Sequence, residues 1–546
     1  MMALRLTLKL ALKLTLAGLG VAAFLLVLIF ALPLPIAPLP DESVEQTLNK
    51  PLNKTIAIQN INIVDVTTGE LIENATVIIE QSRITSITTS STTSSTTSNT
   101  TAAHPSLKPS TTIIDGSGKF LVPGLWDMHT HGLKLSPQLH HPLFIRYGVT
   151  SARDMSGCMS KEDSYWACPQ DRLHWEAQST AGQAVSPRYP LQSSYQTNGG
   201  NEVPSGFPDF FRLNALEDAR TLTRFYADQE VDFIKTYTEL SQHQFTELSL
   251  AAAENGIALA GHKPLKVPLT DALTAPMTSI EHGRLFMFEC YGAIDALRST
   301  DNPLALYNAE KIRQIIDHQD SQKCVSAMQA MAATSTYWVP TLTTLKMSAM
   351  SRNDSFRTDA RLIQIPYIIK ALLWEPDINR AARLGVDANG QFVHADYFDA
   401  VSQQINAANR AGVKLLVGTD NIDTYVFTGS SVHDELEMLV QAGLSPIEAL
   451  RAATIHAAEF ANKEGDLGSV SVGKKADLVI INHNPLTDIN NIRSIDGVIF
   501  NGHYFDDKAL QDLERFTIEM AQNIRINLHY LASLLMSPLM RVQLAD

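Results

Sequence analysis

The stretch FLVPGLWDMHTHG, residues 120–132, sets His129 and His131 one residue apart at the end of a short apolar run. In a strand, residues i and i+2 point to the same side, so both imidazoles can face one point. Neutral imidazole is the commonest metal ligand. Other apolar runs end in similar groups: AGHKP in His262, SIEHG in His282 and LLVGTDN in Asp420. DFIKTY embeds Lys235 among apolar residues, and a buried lysine without a partner is costly. Carboxylated by CO2, such a lysine becomes an anion able to bridge two cations.

Four histidines, an aspartate and a carbamate can hold two divalent ions ~3.5–4 Å apart. His129, His131 and Asp420 suit one ion, His262 and His282 the other, with carboxylated Lys235 as the bridge. Zinc is the first expectation for nitrogen and oxygen ligands, with manganese, cobalt or iron as alternatives. A hydroxide bridging such a pair would attack a carbonyl, because its parent water ionises near neutrality. Asp420 is then both ligand and catalytic residue: it accepts the water's proton and passes it to the leaving nitrogen.

Around this set lie residues with open roles. Tyr237 shares a strand face with Lys235, as a substrate-binding hydroxyl or a packed core tyrosine. Arg188, in SPRYP, would suit a substrate carboxylate. Arg153 and Asp154 read as a structural pair near the site. His140, His141, His433 and Glu435 read as structural groups at helix starts.

The elements that must position these groups follow from periodicity. From about Leu121 to Asn462, strand-like runs alternate with helical segments. VDFIKTY precedes QHQFTELSLAAAENG, a helix stopped by glycine, and IALAGH follows as a strand. Repeated βα units of this length fit a parallel barrel or a doubly wound sheet. The chemistry-bearing residues all fall at C-terminal strand ends, where a (β/α)8 TIM barrel builds its active site. The expected class is therefore α/β, with the barrel over residues 121–462. Short strands over 55–120 and 463–505 have one character and are expected to join as a small β-sandwich. A Ser/Thr-rich tract within the first part reads as a disordered loop over 85–110. Residues 506–546 read as a C-terminal helical extension, packed on the body, a second subunit in a homo-oligomer, or a membrane.

The chain of 546 residues carries a net charge of −14. No basic stripe exists to neutralise phosphates, so nucleic acid is excluded as a partner and a small-molecule substrate is expected. Residues 1–40 contain Arg5, Lys9 and Lys13 and then the apolar run Leu14–Leu32, long enough for a transmembrane helix. The basic flank would stay inside, giving an inner-membrane anchor with the body outside the cytoplasm, periplasmic in a Gram-negative cell. A cleaved signal segment is the rival. A linker over 41–54 would follow. In an oxidising compartment Cys158 and Cys168 could pair, and no Cys-x-x-Cys spacing marks a zinc site.

The order His-x-His, Lys, His, His, Asp resembles the amidohydrolase superfamily of metal-dependent hydrolases. VPGLWDMHTHG, GVTSARDMSG, DFIKTY, SIEHG, PTLTT, GTDN, HDELEMLVQAGLSPIEALRAATIHAAEF and GSVSVGKKADLVIIN are similar to its imidazolonepropionase- and prolidase-like branch. The resemblance runs from about residue 55 to 503. It implies an amide hydrolase acting on Xaa-Pro or Xaa-Arg dipeptides or on cyclic amides, with the lysine carboxylated in dipeptidase members. A lactonase or deaminase on the same scaffold, or a non-catalytic metal-binding surface protein, are the alternatives. One departure stands out: prolidase-like members usually read Gly-Gly-His where this chain has TNGGNEVPSG, placing Asn201 at the histidine position. Asn201 is thereby a candidate substrate contact with an altered preference.

Overall fold

A computed structural model of the chain describes residues 30, 32–40, 55–89, 111–159, 162–199, 203 and 206–543. Of the expected membrane segment 1–40, only residues 30 and 32–40 fall among these, and Asn201 lies outside them. No helix of the described residues is long and apolar enough to cross a membrane.

The two flanks join in one hydrogen-bonded sheet. Strands β1 (Thr55–Val64), β2 (Leu71–Glu80), β3 (Arg83–Thr89), β4 (Thr112–Asp115) and β5 (Phe120–Pro123) share one eight-stranded sheet with β12 (Leu478–Ile481), β13 (Ile495–Phe500) and β14 (His503–Asp506). Its order is β14-β13-β12-β5-β1-β2-β3, with β4 also on β1. β5 pairs parallel to β1 and antiparallel to β12, which makes the flanks continuous, and β3 meets the run before β12 again at Arg83–Lys475. The expected loop from residue 85 also starts too early: residues 85–89 alternate well enough to pair with β2. The rest of that loop lies outside the described residues. One face of the sheet buries its own core of Ile56, Ile58, Val77, Ile84, Leu478 and Ile480.

Between the flanks run β6 (Leu125–Thr130), β7 (Val149–Asp154), β8 (Phe233–Thr236), β9 (Ala258–Gly261), β10 (Met277–Glu281) and β11 (Tyr337–Val339). They form a parallel pair, β6-β7, and a parallel four-stranded sheet, β8-β9-β10-β11. Short extended segments carry the pairing between these sheets. Residues 188–197 bridge β7 through Ser151–Arg188 and β8 through Ser193–Phe233 and Thr197–Thr236. Residues 415–421 bridge β11 through Trp338–Leu415 and β6 through Thr130–Asn421. The Met128 amide also donates to Val417 O at 2.9 Å. Gly418 permits that approach, since a Cβ there would stand 2.6 Å from Val339 and 2.9 Å from His129.

Helices cover these strands. Gln242–Asn255 starts at a Ser241/Gln244 capping box and stops at Gly256, whose φ of +64° suits glycine. The C-terminal helices Asp507–Gln522 and Ile524–Met536 pack on the body. Glu514 pairs with Arg146 at 3.0 Å, and Tyr530 OH lies 2.6 Å from Tyr165 OH. Two disulfides are present, Cys158–Cys168 and Cys290–Cys324; the second had no signal in spacing.

Arg188 corrects an expectation. Its guanidinium binds Asp477 of the flank sheet through Nε and Nη2 at 2.6 and 3.0 Å and donates to Asn501 Oδ1. It is 5% exposed and holds the flank sheet to the strand ring rather than facing a substrate. Removing one partner of a buried pair leaves an uncompensated charge, at a cost of about 3–5 kcal/mol. Asp477→Ala is therefore expected to lower the unfolding midpoint in urea substantially while leaving bound metal per folded chain unchanged. Retention of the wild-type midpoint would show that the pair does not fasten the two parts.

Candidate functional site

Five of the six expected ligands sit at strand ends and one within a strand. His129 is the penultimate residue of β6 and His131 follows its end; His262 follows β9 and His282 follows β10. Lys235 lies inside β8. Asp420 is the penultimate residue of the 415–421 segment, and its amide donates to His129 O at 2.8 Å. Two of these residues are held at positive φ, His282 at +72° and Asp420 at +64°. Non-glycine residues there carry strain of about 1–3 kcal/mol, kept only where the surroundings over-determine the backbone. The amide of His282 donates to Val339 O at 2.7 Å, and Asp420 is held by β6.

The side chains converge. Asp420 Oδ1 stands 3.2 Å from both His129 Nε2 and His131 Nε2, and Asp420 Oδ2 stands 3.6 Å from His282 Nδ1. His262 Nε2 is 2.8 Å from His282 Nε2. Lys235 Nζ is 3.5 Å from His131 Nε2. His129, His282 and Asp420 place ligand atoms within 4.8 Å of one another.

The donor chemistry fits a cation. His129 Nδ1 lies 2.9 Å from Glu281 Oε2, so the proton belongs on Nδ1 and Nε2 keeps its lone pair. That Nε2 is buried without a hydrogen-bond partner and faces a carboxylate oxygen. Two electron-rich atoms at that range are reconciled by a shared metal ion. Thr238 Oγ1 and Arg284 Nη2 each stand 2.6 Å from His262 Nδ1 and fix the orientation of that ring. Burial pushes the Lys235 amine down from the ordinary lysine value, against the pull of Asp420 and Glu281.

A second layer holds the ligands. Burial works to raise the Glu281 carboxyl, but the Arg153 guanidinium overrides it and holds the group at about 2. Arg153 donates to Glu281 Oε1 at 2.9 Å, to Ser279 Oγ at 2.8 Å and to Met128 O at 2.6 Å. The expected Arg153–Asp154 pair is thus corrected. Neighbours in a strand point to opposite faces, so Arg153 turns inward to Glu281 while Asp154 pairs with Arg172 at 2.6 Å. Asp127 accepts from Thr419 N and Oγ1 and from His129 N, which ties the His-x-His strand to the Asp420 loop. Burial raises its carboxyl to about 6.

Tyr237 stacks on His262 with ring centroids 3.9 Å apart and lines the space around the cluster. His433 bonds Tyr147 O, His141 bonds Tyr189 OH, and Glu435 accepts the Leu342 and Thr343 amides. Glu281, Asp127 and Arg284 had not been singled out in the sequence. A charge inside an apolar strand was the available signal for the first two; Arg284 had none.

Residues 308–504 match the model of the Amidohydrolase family. The chain is 29% identical over 146 residues to the imidazolonepropionase of Alkaliphilus metalliredigens (strain QYMF), covering 25% of this chain and 33% of that protein. It spans a third or less of the first curated relatives it matches. Among solved structures it is similar to a bottromycin amidohydrolase, with a TM-score of 0.64 and 22% identity, covering 87% of this chain and 91% of the other. It is similar as well to a Xaa-Pro dipeptidase with bound methionine, with a TM-score of 0.55 and 20% identity, covering 83% and 100%. These likenesses establish the amidohydrolase-type α/β fold.

The Glu281 carboxylate is the partner that orients His129. Losing such a partner typically costs about 10–100-fold in metal affinity. Glu281→Gln is expected to weaken zinc binding by that factor in a competition titration against a chelating dye. Unchanged affinity would remove Glu281 from the support of the site.

Proposed function

We propose that the chain is a metal-dependent hydrolase of carbon–nitrogen bonds, built on a (β/α)8 barrel and acting on dipeptides or cyclic amides. The observation that carries this reading is the convergence of His129, His131, Lys235, His262, His282 and Asp420, with His129 Nε2 buried, unbonded and aimed at Asp420. The continuous parallel pairing from β6 through β11 and back to β6 supports the barrel.

His129, His131 and Asp420 would hold one divalent ion, His262 and His282 a second, and carboxylated Lys235 would join them. A bound pair supplies Lewis acidity, acidifying a water and polarising the scissile carbonyl. Zinc suits this nitrogen-rich set. The burial of Lys235, which outweighs the pull of Asp420 and Glu281, favours its neutral amine, the form that takes up CO2. Asp420 takes the proton of the attacking water and delivers it to the leaving nitrogen, since its carboxylate stands at the centre of the cluster, 3.2 Å from His129 Nε2 and from His131 Nε2. Tyr237 offers a hydroxyl at the edge of the cluster for a substrate oxygen. Two disulfides among the described residues suit an oxidising compartment, which supports a body outside the cytoplasm behind the apolar N-terminal run.

Elemental analysis should find about two zinc-like ions per chain after expression with metal and bicarbonate, the usual content of a two-metal site. Asp420→Asn is expected to keep most of that metal and lose about 10²–10⁴-fold in turnover of Xaa-Pro dipeptides or cyclic amides. Lys235→Ala should lose metal and activity and recover part of both in added propionate. Full activity in Asp420→Asn would remove the proton-transfer role, and no recovery in Lys235→Ala would remove the carbamate.

A further inference from the structure

Nine of the sixteen strongly exposed large apolar side chains among the described residues fall on three short segments. Phe30, Leu32 and Ile36 lie before the first strand, Ile363, Tyr367 and Leu372 lie before Glu375, and Ile524, Leu535 and Met536 lie on the helix Ile524–Met536. Scattered singly, exposed apolar residues mean little; gathered in one patch, they mark a contact surface. These three segments are joined. The Phe30 ring lies 4.7 Å from that of His529, Arg525 donates to the carbonyls of Leu32 and Pro33, and the Ile368 amide donates to Asn527 Oδ1 at 3.0 Å.

The helix has two apolar faces. Ile526, Tyr530 and Leu534, four residues apart, are buried on the body. Ile524, Leu528, Leu531 and Leu535 recur at helical spacing on another side and are half or fully exposed. A helix apolar on two sides needs a second apolar partner. Charge and the N-terminal run say what that partner is. The chain carries 57 acidic residues, yet none falls in residues 1–40, 360–374 or 520–545. Within 363–372 and 524–536 the fixed charges are Lys370 and Arg525, which suit lipid phosphate. The apolar run Leu14–Leu32 ends at this patch, and the residues after it lie against the body: Ala37 is 4% exposed, and Pro35 O accepts from Gln138 Nε2 at 3.0 Å. A bilayer that holds the run therefore meets the patch.

We infer that the patch docks on that bilayer: the helix Ile524–Met536 and residues 363–372 lie in its interfacial layer, and the body rests on lipid instead of swinging on a tether. This rests on the N-terminal run being kept as an anchor. The docked elements also wall the cavity beside the cluster, through Ile369, Leu373, Trp374 and Tyr530, so the site stands directly behind the docked face.

The test uses the full chain in vesicles of phosphatidylcholine and phosphatidylglycerol. All four cysteines are in disulfides, so one added cysteine is the only thiol to label. An environment-sensitive fluorophore is attached to Tyr367→Cys or Leu535→Cys, and to Val472→Cys or Leu250→Cys as exposed positions on other elements. Nitroxide on the lipid chains is expected to quench the first two probes at least about twofold more than the last two, and aqueous iodide to reach them less. Ile524→Glu with Leu535→Glu should reverse both effects at the Tyr367→Cys probe, while the chain still floats with the vesicles and keeps its unfolding midpoint. Chain held by the vesicles with all four probes alike would overturn the inference and leave the anchor standing. Chain recovered free of the vesicles would overturn both. Probes shielded from iodide yet untouched by the lipid nitroxide, with crosslinks between chains, would place a second copy on the patch and overturn the inference.

Discussion

The buried ion pair between Arg153 and Glu281 is the interaction on which the rest of the site depends. Both side chains are fully enclosed, where an unpaired charge costs several kcal/mol. Their pairing fixes more than themselves. Arg153 spans β6, through Met128 O, and β10, through Ser279 and Glu281. Glu281 spends its second oxygen on His129, which sets that ring's tautomer and aims its free nitrogen at Asp420. One guanidinium thus sets the spacing of two non-adjacent strands and the chemistry of a third group.

A second constraint is the tolerance of strain. His282 and Asp420 hold left-handed backbone that a free chain avoids. Each is held there by an amide that donates to a neighbouring strand, at Val339 and at His129. The ring of strands supplies the rigidity, and the ligands sit where the chain leaves it. Asp127 binds both sides of that junction, and Arg188 with Asp477 fastens the flank sheet beneath it.

The parts that wall the cavity beside the cluster have a different origin. Trp166, Trp374 and Tyr530 come from a disulfide-closed loop, a helical segment before Glu375 and the helix Ile524–Met536. Such segments lie outside the strands and so can vary the accepted substrate without disturbing the cluster.

By itself the sequence determined the set of candidate ligands and its place in the chain. Each ligand belongs to a short apolar run whose period and length read as a strand, and strand direction needs no tertiary knowledge. The helices after Ser241 and before Gly412 were legible for the same reason, since caps are local. Partner choice was not. Arg153 and Asp154 are adjacent, yet strand alternation sends them to Glu281 and Arg172, 128 residues on in the first case. Arg188 read as a substrate contact because nothing local marks Asp477, and the pairing of β5 with both β1 and β12 is decided at long range. Only the folded chain could bring Arg284 and the three aromatic walls to the cluster. Charge pairing and cavity shape depend on distances between segments far apart in sequence, and periodicity carries no record of those.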